Sequence, residues 1–344
     1  MGRSIGTREA VTGVVTMSDV ARLAEVSKMT VSNVVNNRPG VSEPVRRRVL
    51  EAIQQSGYRL NVNARTLKAG RTGVIGLAVP GIDQAYYGML ASHVIEAAKA
   101  RGFHVAIEQT GAAAEGEAAA IAQSHKLQLD GLILSAVALD PREQSQSWGD
   151  FPIVMLGERD FGASIDHVGM ANEAGTRVAT EHLIERGCTR IASVTGWTLE
   201  GVHVVSRRHR GYVEALEAAG IKADPALVSL LGMSRETGRK AVHDLHEAGV
   251  EFDGVVAVTD TVAMGVLRGL SDLGLHCPED VRLIGFDDIP EAAYLTPSLS
   301  SVAPDHRWMA EKAVELIAAR LEDPARAPEE HTAPFAVVER ESTR

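Results

Sequence analysis

The sequence predicts a small all-helical N-terminal module followed by a larger α/β body in which two lobes each carry a doubly wound parallel sheet. Three observations lead to this. Apolar residues recur at helical spacing between residues 18 and 57, short β-rich runs alternate with amphipathic helices from Gly73 onward, and that alternation occurs twice, the second series opening near residue 190.

Taken in order, residues 1–16 have no sustained period and are rich in Gly, Thr and Arg, so they are expected as a mobile arm outside the fold. Ser18 can cap a first helix whose face is Val20, Leu23 and Ala24, at i, i+3 and i+4. Ser27 caps a second helix on Val31, Val34 and Val35, which leaves Lys28, Met29, Thr30, Ser32 and Asn33 pointing elsewhere. The turn-prone stretch Asn36, Asn37, Arg38, Pro39, Gly40 ends it. Ser42, Glu43 and Pro44 then open a third helix through Val45, Val49 and Ile53, closed by Gly57. The first two short helices thus share one small core.

A short segment, 61–71, separates this module from the body at 72–344. In the body the strands VIGLAV, FHVAIEQ and GLILS alternate with the helix GMLASHVIEAAKA and an Ala-rich helix ending by Leu129. The second series runs RIASVT, a helix over Gly211 to Ala219, ALVSLL, a helix over Glu236 to Ala248, GVVAV, a helix from Thr261, and VRLIGF. Two such series imply two lobes with a cleft between them. Ligands of open α/β sheets bind outside the carboxyl ends of the strands, so the residues following each strand are the candidates for a site.

Composition narrows the function. The 344 residues are 45% hydrophobic and 23% charged, an ordinary globular balance. The first twenty residues lack the apolar core and cleavage site of a signal peptide, and no apolar run approaches membrane-spanning length, so a cytoplasmic protein without membrane contact is expected. Cys188 and Cys277 stand far apart with no CxxC and no nearby histidine pair, which argues against a disulfide scaffold or a zinc site. Net charge is −10, but it is split: residues 1–71 hold 12 Lys/Arg against 5 Asp/Glu, and the remainder 23 against 40. A basic module on an acidic body is the pattern expected when only the N-terminus meets nucleic-acid phosphates. No GxSxG, P-loop, HExxH or strand-linked GxGxxG is present, so neither enzyme activity nor a cofactor or metal is expected. A glycoside hydrolase using cleft carboxylates and a transport binding protein are the competing readings; the latter leaves residues 17–70 without a role.

The run MSDVARLAEVSKMTVSNVVNNRPGVSEPVRRRVLEAIQQSGYRLNVNARTLKAGRTGVIGLAVP resembles the LacI/GalR family of bacterial transcription regulators, and the likeness continues through DGLILS, RRHRGYVEALEAAGI, TDTVAMGVLRGLSDLGL, PEDVRLIGFDDIP and VVERESTR. The resemblance implies a DNA-binding helix-turn-helix headpiece over residues 17–60, a hinge helix within 61–71 and a body like a periplasmic sugar-binding protein. It further implies a homodimer that binds double-stranded operator DNA and answers to a small effector, a sugar. Whether the response is repression relieved by an inducer, corepression or activation stays open.

By resemblance, Lys28, Met29 and Asn33 face base edges in the major groove, while Ser27, Thr30, Ser32, Asn36 and Ser42 suit phosphates; Ser27 and Ser42 can equally be helix caps. The hinge from Asn61 carries Leu67 where the family wedges a leucine between base pairs, with Ala64 permitting close approach. Glu25 stands where the family usually has Gly in the turn, and Asn33 where Arg or His is common. For the effector, the expected contacts are Asp83, Tyr86 and Tyr87 after the first strand, Arg208 in the second lobe, and Asp260 and Asp287 at late strand ends, Asp260 being alternatively a helix cap. Met233 falls where relatives often stack an aromatic ring. Asn172 follows Ala171, where Asp is frequent, and stays outside the expected set.

Overall fold

The computed structural model describes residues 15–35, 38–58, 71–139, 151–157 and 165–344. Asn36, Asn61, Ala64 and Leu67, and with them all of the expected hinge but Arg71, lie outside the described residues. The chain divides into two units, Met1–Thr72 and Gly73–Arg344.

In the first unit, helices α1 (Met17–Leu23), α2 (Lys28–Val35) and α3 (Glu43–Ser56) enclose a core of Val20, Ala21, Ala24, Val31, Val34, Val49 and Ala52. The N-terminal cap of α1 is Thr16 rather than Ser18: its backbone N–H and its hydroxyl both donate to Asp19 Oδ2, at 3.0 and 2.6 Å. Those bonds hold the Asp19 carboxyl below its usual range. Leu23, expected in the core, is 51% exposed. The buried stripe of this seven-residue helix is Met17, Val20, Ala21 and Ala24, and Leu23 falls beside it. Ser27 does cap α2, its Oγ accepting from the Thr30 N–H at 3.1 Å. Ser42 occupies the cap position of α3 with Pro44 in the first turn, but its side chain makes no cap bond. Gly57, at φ +67°, closes α3.

The turn between α1 and α2 explains what Glu25 does there. Val26 N–H returns to the Ala21 carbonyl at 3.0 Å and Glu25 N–H to Arg22 at 3.3 Å, the Schellman pattern, which places Glu25 at φ +53°. A side chain in that left-handed region costs about 1 kcal/mol against glycine. Glu25→Gly is therefore expected to stabilise the headpiece by about 1 kcal/mol, read as slower hydrogen exchange of the Val20 and Val31 amides; unchanged or faster exchange would contradict this.

The second unit holds two six-stranded sheets. Strands β1 (Val74–Val79), β2 (His104–Gln109), β3 (Gly131–Ser135), β4 (Ile153–Leu156), β5 (Asp166–Met170) and β11 (Glu330–Ala333) form the first, in the order β11-β5-β4-β3-β1-β2, all parallel. Strands β6 (Ile191–Thr195), β7 (Val228–Leu230), β8 (Gly254–Ala257), β9 (Arg282–Phe286), β10 (Ser300–Pro304) and β12 (Phe335–Val338) form the second, in the order β12-β10-β9-β8-β6-β7, with only the β10–β12 pair antiparallel. Helix α4 (Ala85–Ala100) packs on one face of the first sheet and α5 (Ala114–Lys126) on the other. Around the second sheet lie α6 (Asn172–Glu185) with α7 (Val204–Ala218) on one face, and α8 (Arg235–Glu247) with α9 (Asp260–Asp272) on the other.

The lobes are not consecutive in sequence, as the two series suggested. After β10 the chain crosses back: α10 (His306–Glu322) buries Met309, Ala310, Ala313, Val314 and Ile317 in the first lobe, and β11 joins the first sheet before β12 returns to the second. The connections at Ala171, Asp305 and Pro334 thus all run between lobes. The second lobe also starts earlier than residue 190, with α6, and α7 starts at Val204 instead of Gly211.

Candidate functional site: an interlobe cleft and an exposed helix

Strand ends from both sheets converge on an open cleft, the kind of place where open α/β sheets bind small molecules. The first lobe supplies Gln84, Tyr86, Tyr87, Ser135, Gly157, Met170 and Met309 to its walls. The second supplies Asn172, His203, Val204, Arg208, Met233, Thr259, Thr261 and Asp287.

Arg208 organises the second lobe's wall. It sits one turn into α7, buried, with its guanidinium stacked 3.5 Å from the centre of the Phe286 ring. Its Nε donates to Asn172 Oδ1 at 2.6 Å, Nη1 donates to the Val258 carbonyl, and Nη2 lies 3.5 Å from Asp287 Oδ1. One side chain therefore ties together the start of α6 and the ends of β8 and β9. The crossing of α6 and α7 permits this: a Cβ on Gly211 would lie 2.1 Å from the Glu173 carbonyl oxygen, so only glycine lets the helices approach so closely.

Asp287 follows β9 at φ +107°, a conformation non-glycine residues rarely adopt and that recurs where a side chain must be aimed. Its N–H is held by the Val302 carbonyl at 2.9 Å, and its carbonyl is 2.6 Å from Nε2 of His306, the first residue of α10, so an interlobe contact locks the strained residue. Burial pushes the Asp287 carboxyl up to about 6 against the opposing pull of Arg208. Burial likewise lowers His306 and raises the Tyr87 hydroxyl to about 12.

A carboxyl whose folded value lies above its unfolded one adds stability below the unfolded value and loses it as pH rises through about 6. Asp287→Asn removes that titration. The stability of the variant relative to the parent is expected to rise by roughly 2 kcal/mol between pH 4 and pH 7. Denaturant titrations with the same pH slope for both proteins would overturn this.

Two expected contacts lie elsewhere. Asp83 is exposed and outside the cleft wall; its carboxylate turns back over Gly81, where a Cβ would come within 2.9 Å, and the neighbouring Gln84 faces the cleft instead. Asp260 is fully buried behind the wall, accepting from Ser301 Oγ at 2.6 Å and from the Ile289 N–H at 2.9 Å. Gly285 leaves room for it, since a Cβ there would stand 2.1 Å from its Oδ1. Nor is Asp260 the cap of α9: Thr259 is, its hydroxyl accepting from Val262 N–H at 3.2 Å. Buried and close to Asp287, the Asp260 carboxyl is held well above the usual range.

Asn172, left outside the expected set, does line the cleft. It heads α6, is buried and anchors Arg208. Ser135 and Thr259 could have been found, because each stands at a strand's carboxyl end. Glu117 could not: from α5 its buried carboxylate accepts the N–H groups of Val137, Ala138 and Leu139, at 2.7 to 3.3 Å, and so shapes the loop after β3 that lines the cleft.

In the headpiece, Lys28 and Met29 are exposed at the start of α2, Met29 by 70%, while Thr30, Ser32 and Asn33 are half-buried. Among the described residues no cluster of His, Cys, Asp and Glu could hold a metal ion, and no helix is long and apolar enough to cross a membrane.

Comparison with known proteins adds three findings. The model for bacterial regulatory proteins of the lacI family matches residues 16–61, and that for a periplasmic binding protein-like domain matches residues 180–343. The ribose operon repressor of Halalkalibacterium halodurans is 31% identical over 329 residues, 96% of this chain and 97% of that protein; the HTH-type transcriptional regulator GalR of Escherichia coli is 31% identical over 88% of each. Among solved structures, the transcriptional regulator CelR in complex with cellobiose superposes with a TM-score of 0.71 and 28% identity, covering 95% of this chain and 99% of that one.

Proposed function

Because the chain belongs to the LacI family of bacterial transcription regulators, we propose that it binds operator DNA as a homodimer in the cytoplasm and that a sugar in the interlobe cleft controls that binding. One observation carries the reading: the buried Arg208–Asn172–Asp287 group faces a cleft between two lobes of a chain whose other unit is a basic three-helix module with an exposed second helix. A guanidinium, an amide and a carboxylate converging beside Tyr86 and Tyr87 match a ligand that is rich in hydroxyls and has apolar faces.

The first turn of α2 would enter the major groove, with Lys28, Met29 and Asn33 toward base edges and Ser27, Thr30, Ser32, Asn36 and Ser42 toward phosphates. Asn61, Ala64 and Leu67 would form the minor-groove contact. The cleft would bind rather than cut its ligand: glycoside hydrolysis takes a pair of carboxylates at the scissile bond, whereas Asp287 is the one carboxylate among the described lining residues and Asp260 is sealed behind Ser301 and Ile289.

Control without contact between ligand and DNA requires that the ligand favour one lobe arrangement, and coupling of this kind is reciprocal. Fluorescence anisotropy of labelled promoter DNA, titrated with and without sugar, tests it. The factor by which sugar changes DNA affinity should equal the factor by which DNA changes sugar affinity. Equal sugar affinity with and without DNA would remove the proposed control.

A further inference from the structure

We infer that the ligand of this cleft is a two-ring glycoside, a disaccharide, whose outer ring stacks on the exposed indole of Trp197. The inference rests on the sugar-binding reading above and specifies it. Trp197 lies in the loop between β6 and α7 and is 68% exposed, although the indole is among the largest apolar surfaces a chain can bury. The ring is nevertheless held in place. Its Nε1 and Cε2 would lie 3.0 and 3.3 Å from a Cβ on Gly232, so the indole rests against the backbone of that residue, whose φ of +129° itself requires glycine.

This position borders the cleft on two sides. Met233, next to Gly232, lines the cleft, and so do His203 and Val204 at the far end of the Trp197 loop. That end is also fixed, because His203 caps α7 by accepting from the Ser206 N–H and its Nε2 lies 2.8 Å from the Glu200 carbonyl. Inside the cleft, the aromatic rings Tyr86 and Tyr87 come from the first lobe, while the second lobe's wall beside Gly232 is Met233, a flexible thioether with no flat face. Trp197, whose indole rests on Gly232 beside Met233, offers a broad flat apolar surface next to that wall. A single ring engaged by Arg208 and Asp287 would leave that surface uncovered, whereas a second ring linked to it would extend outward over the indole. The C–H face of a pyranose offers an aromatic ring apolar area without leaving hydroxyls unpaired, because its hydroxyls project from the rim into water.

The test uses the full chain. Cellobiose, maltose and lactose, with glucose and galactose as single rings, are screened by thermal shift, and the strongest disaccharide and its constituent monosaccharides are then titrated calorimetrically into the parent, Trp197→Ala and Trp197→Phe. The disaccharide is expected to bind the parent more tightly than either monosaccharide, and Trp197→Ala to weaken it roughly tenfold while changing the monosaccharides by less than about twofold. Trp197→Phe should recover most of the loss. Monosaccharide binding at least as tight as disaccharide binding, or an equal loss for both in Trp197→Ala, would overturn the inference and leave the sugar-binding reading standing. No shift with any of the five sugars would remove both.

Discussion

Arg208→Ala is expected to abolish the response to ligand while leaving DNA binding by the ligand-free protein within about threefold of the parent, since ligand affinity loses a charged hydrogen-bonding partner, a change on the order of 10- to 100-fold. The expectation follows from how the guanidinium is held. It is buried, stacked on Phe286, and joined to Asn172, the Val258 carbonyl and Asp287, so its removal disconnects the elements that shape the second lobe's wall. Breaking a buried ion pair from one side usually costs about 3–5 kcal/mol because the remaining charge has no partner. Here the cost should sit at the low end, about 3 kcal/mol, since Asp287 titrates at about 6 even beside Arg208 and can take up a proton once left alone. Arg208→Lys should not restore the response, because one ammonium cannot reach three partners that a planar fork reaches at once. Calorimetry of ligand binding and anisotropy on DNA measure the two halves of the prediction; ligand affinity unchanged in both variants would take Arg208 out of the site.

Gly211→Ala is expected to impair the same site without touching it. A methyl at position 211 would lie 2.1 Å from the Glu173 carbonyl oxygen and 2.9 Å from the Arg177 nitrogen, both backbone atoms of the facing helix α6. Backbone cannot rotate out of the way, so α6 and α7 must separate, at a cost of about 3 kcal/mol as for other overpacked contacts. The movement should also stretch the 2.6 Å bond from Arg208 to Asn172, because these residues sit on the two separated helices. Lower thermal stability together with weaker ligand binding is therefore expected, and saturating ligand should recover part of the lost melting temperature by mass action. A variant as stable as the parent would show that the helices do not pack this closely.

Much of the architecture could be read from local pattern. The valine stripes of α2 and α3, the β-rich runs such as VIGLAV and GLILS, and the split between a basic N-terminus and an acidic body are local or additive properties, visible one segment at a time. Other elements carried too weak a local signal. DHVGM in β5 and the edge strand EHTA in β11 lack an apolar alternation, and they are strands because neighbouring strands already present the ladder to which they bond. Helix α10 is amphipathic in sequence, but nothing local says which lobe receives it.

The headpiece pattern and the α/β texture were determined by the sequence alone, because periodicity is written into short stretches of chain, and the candidacy of Arg208 and Asp287 came with the family resemblance that such stretches carry. Which of the acidic candidates faces the cleft was decided only by the tertiary structure. Asp83, Asp260 and Asp287 all stand near strand ends and look equivalent in sequence, yet Asp83 folds over Gly81, Asp260 turns inward to Ser301 and Ile289, and Asp287 alone enters the cleft. The direction of each carboxylate depends on a backbone angle and on partners far along the chain: φ +107° at Asp287 is held by Val302 and by His306 from the other lobe. A site assembled where two lobes meet is a property of the crossovers that bring them together, and no single segment contains it.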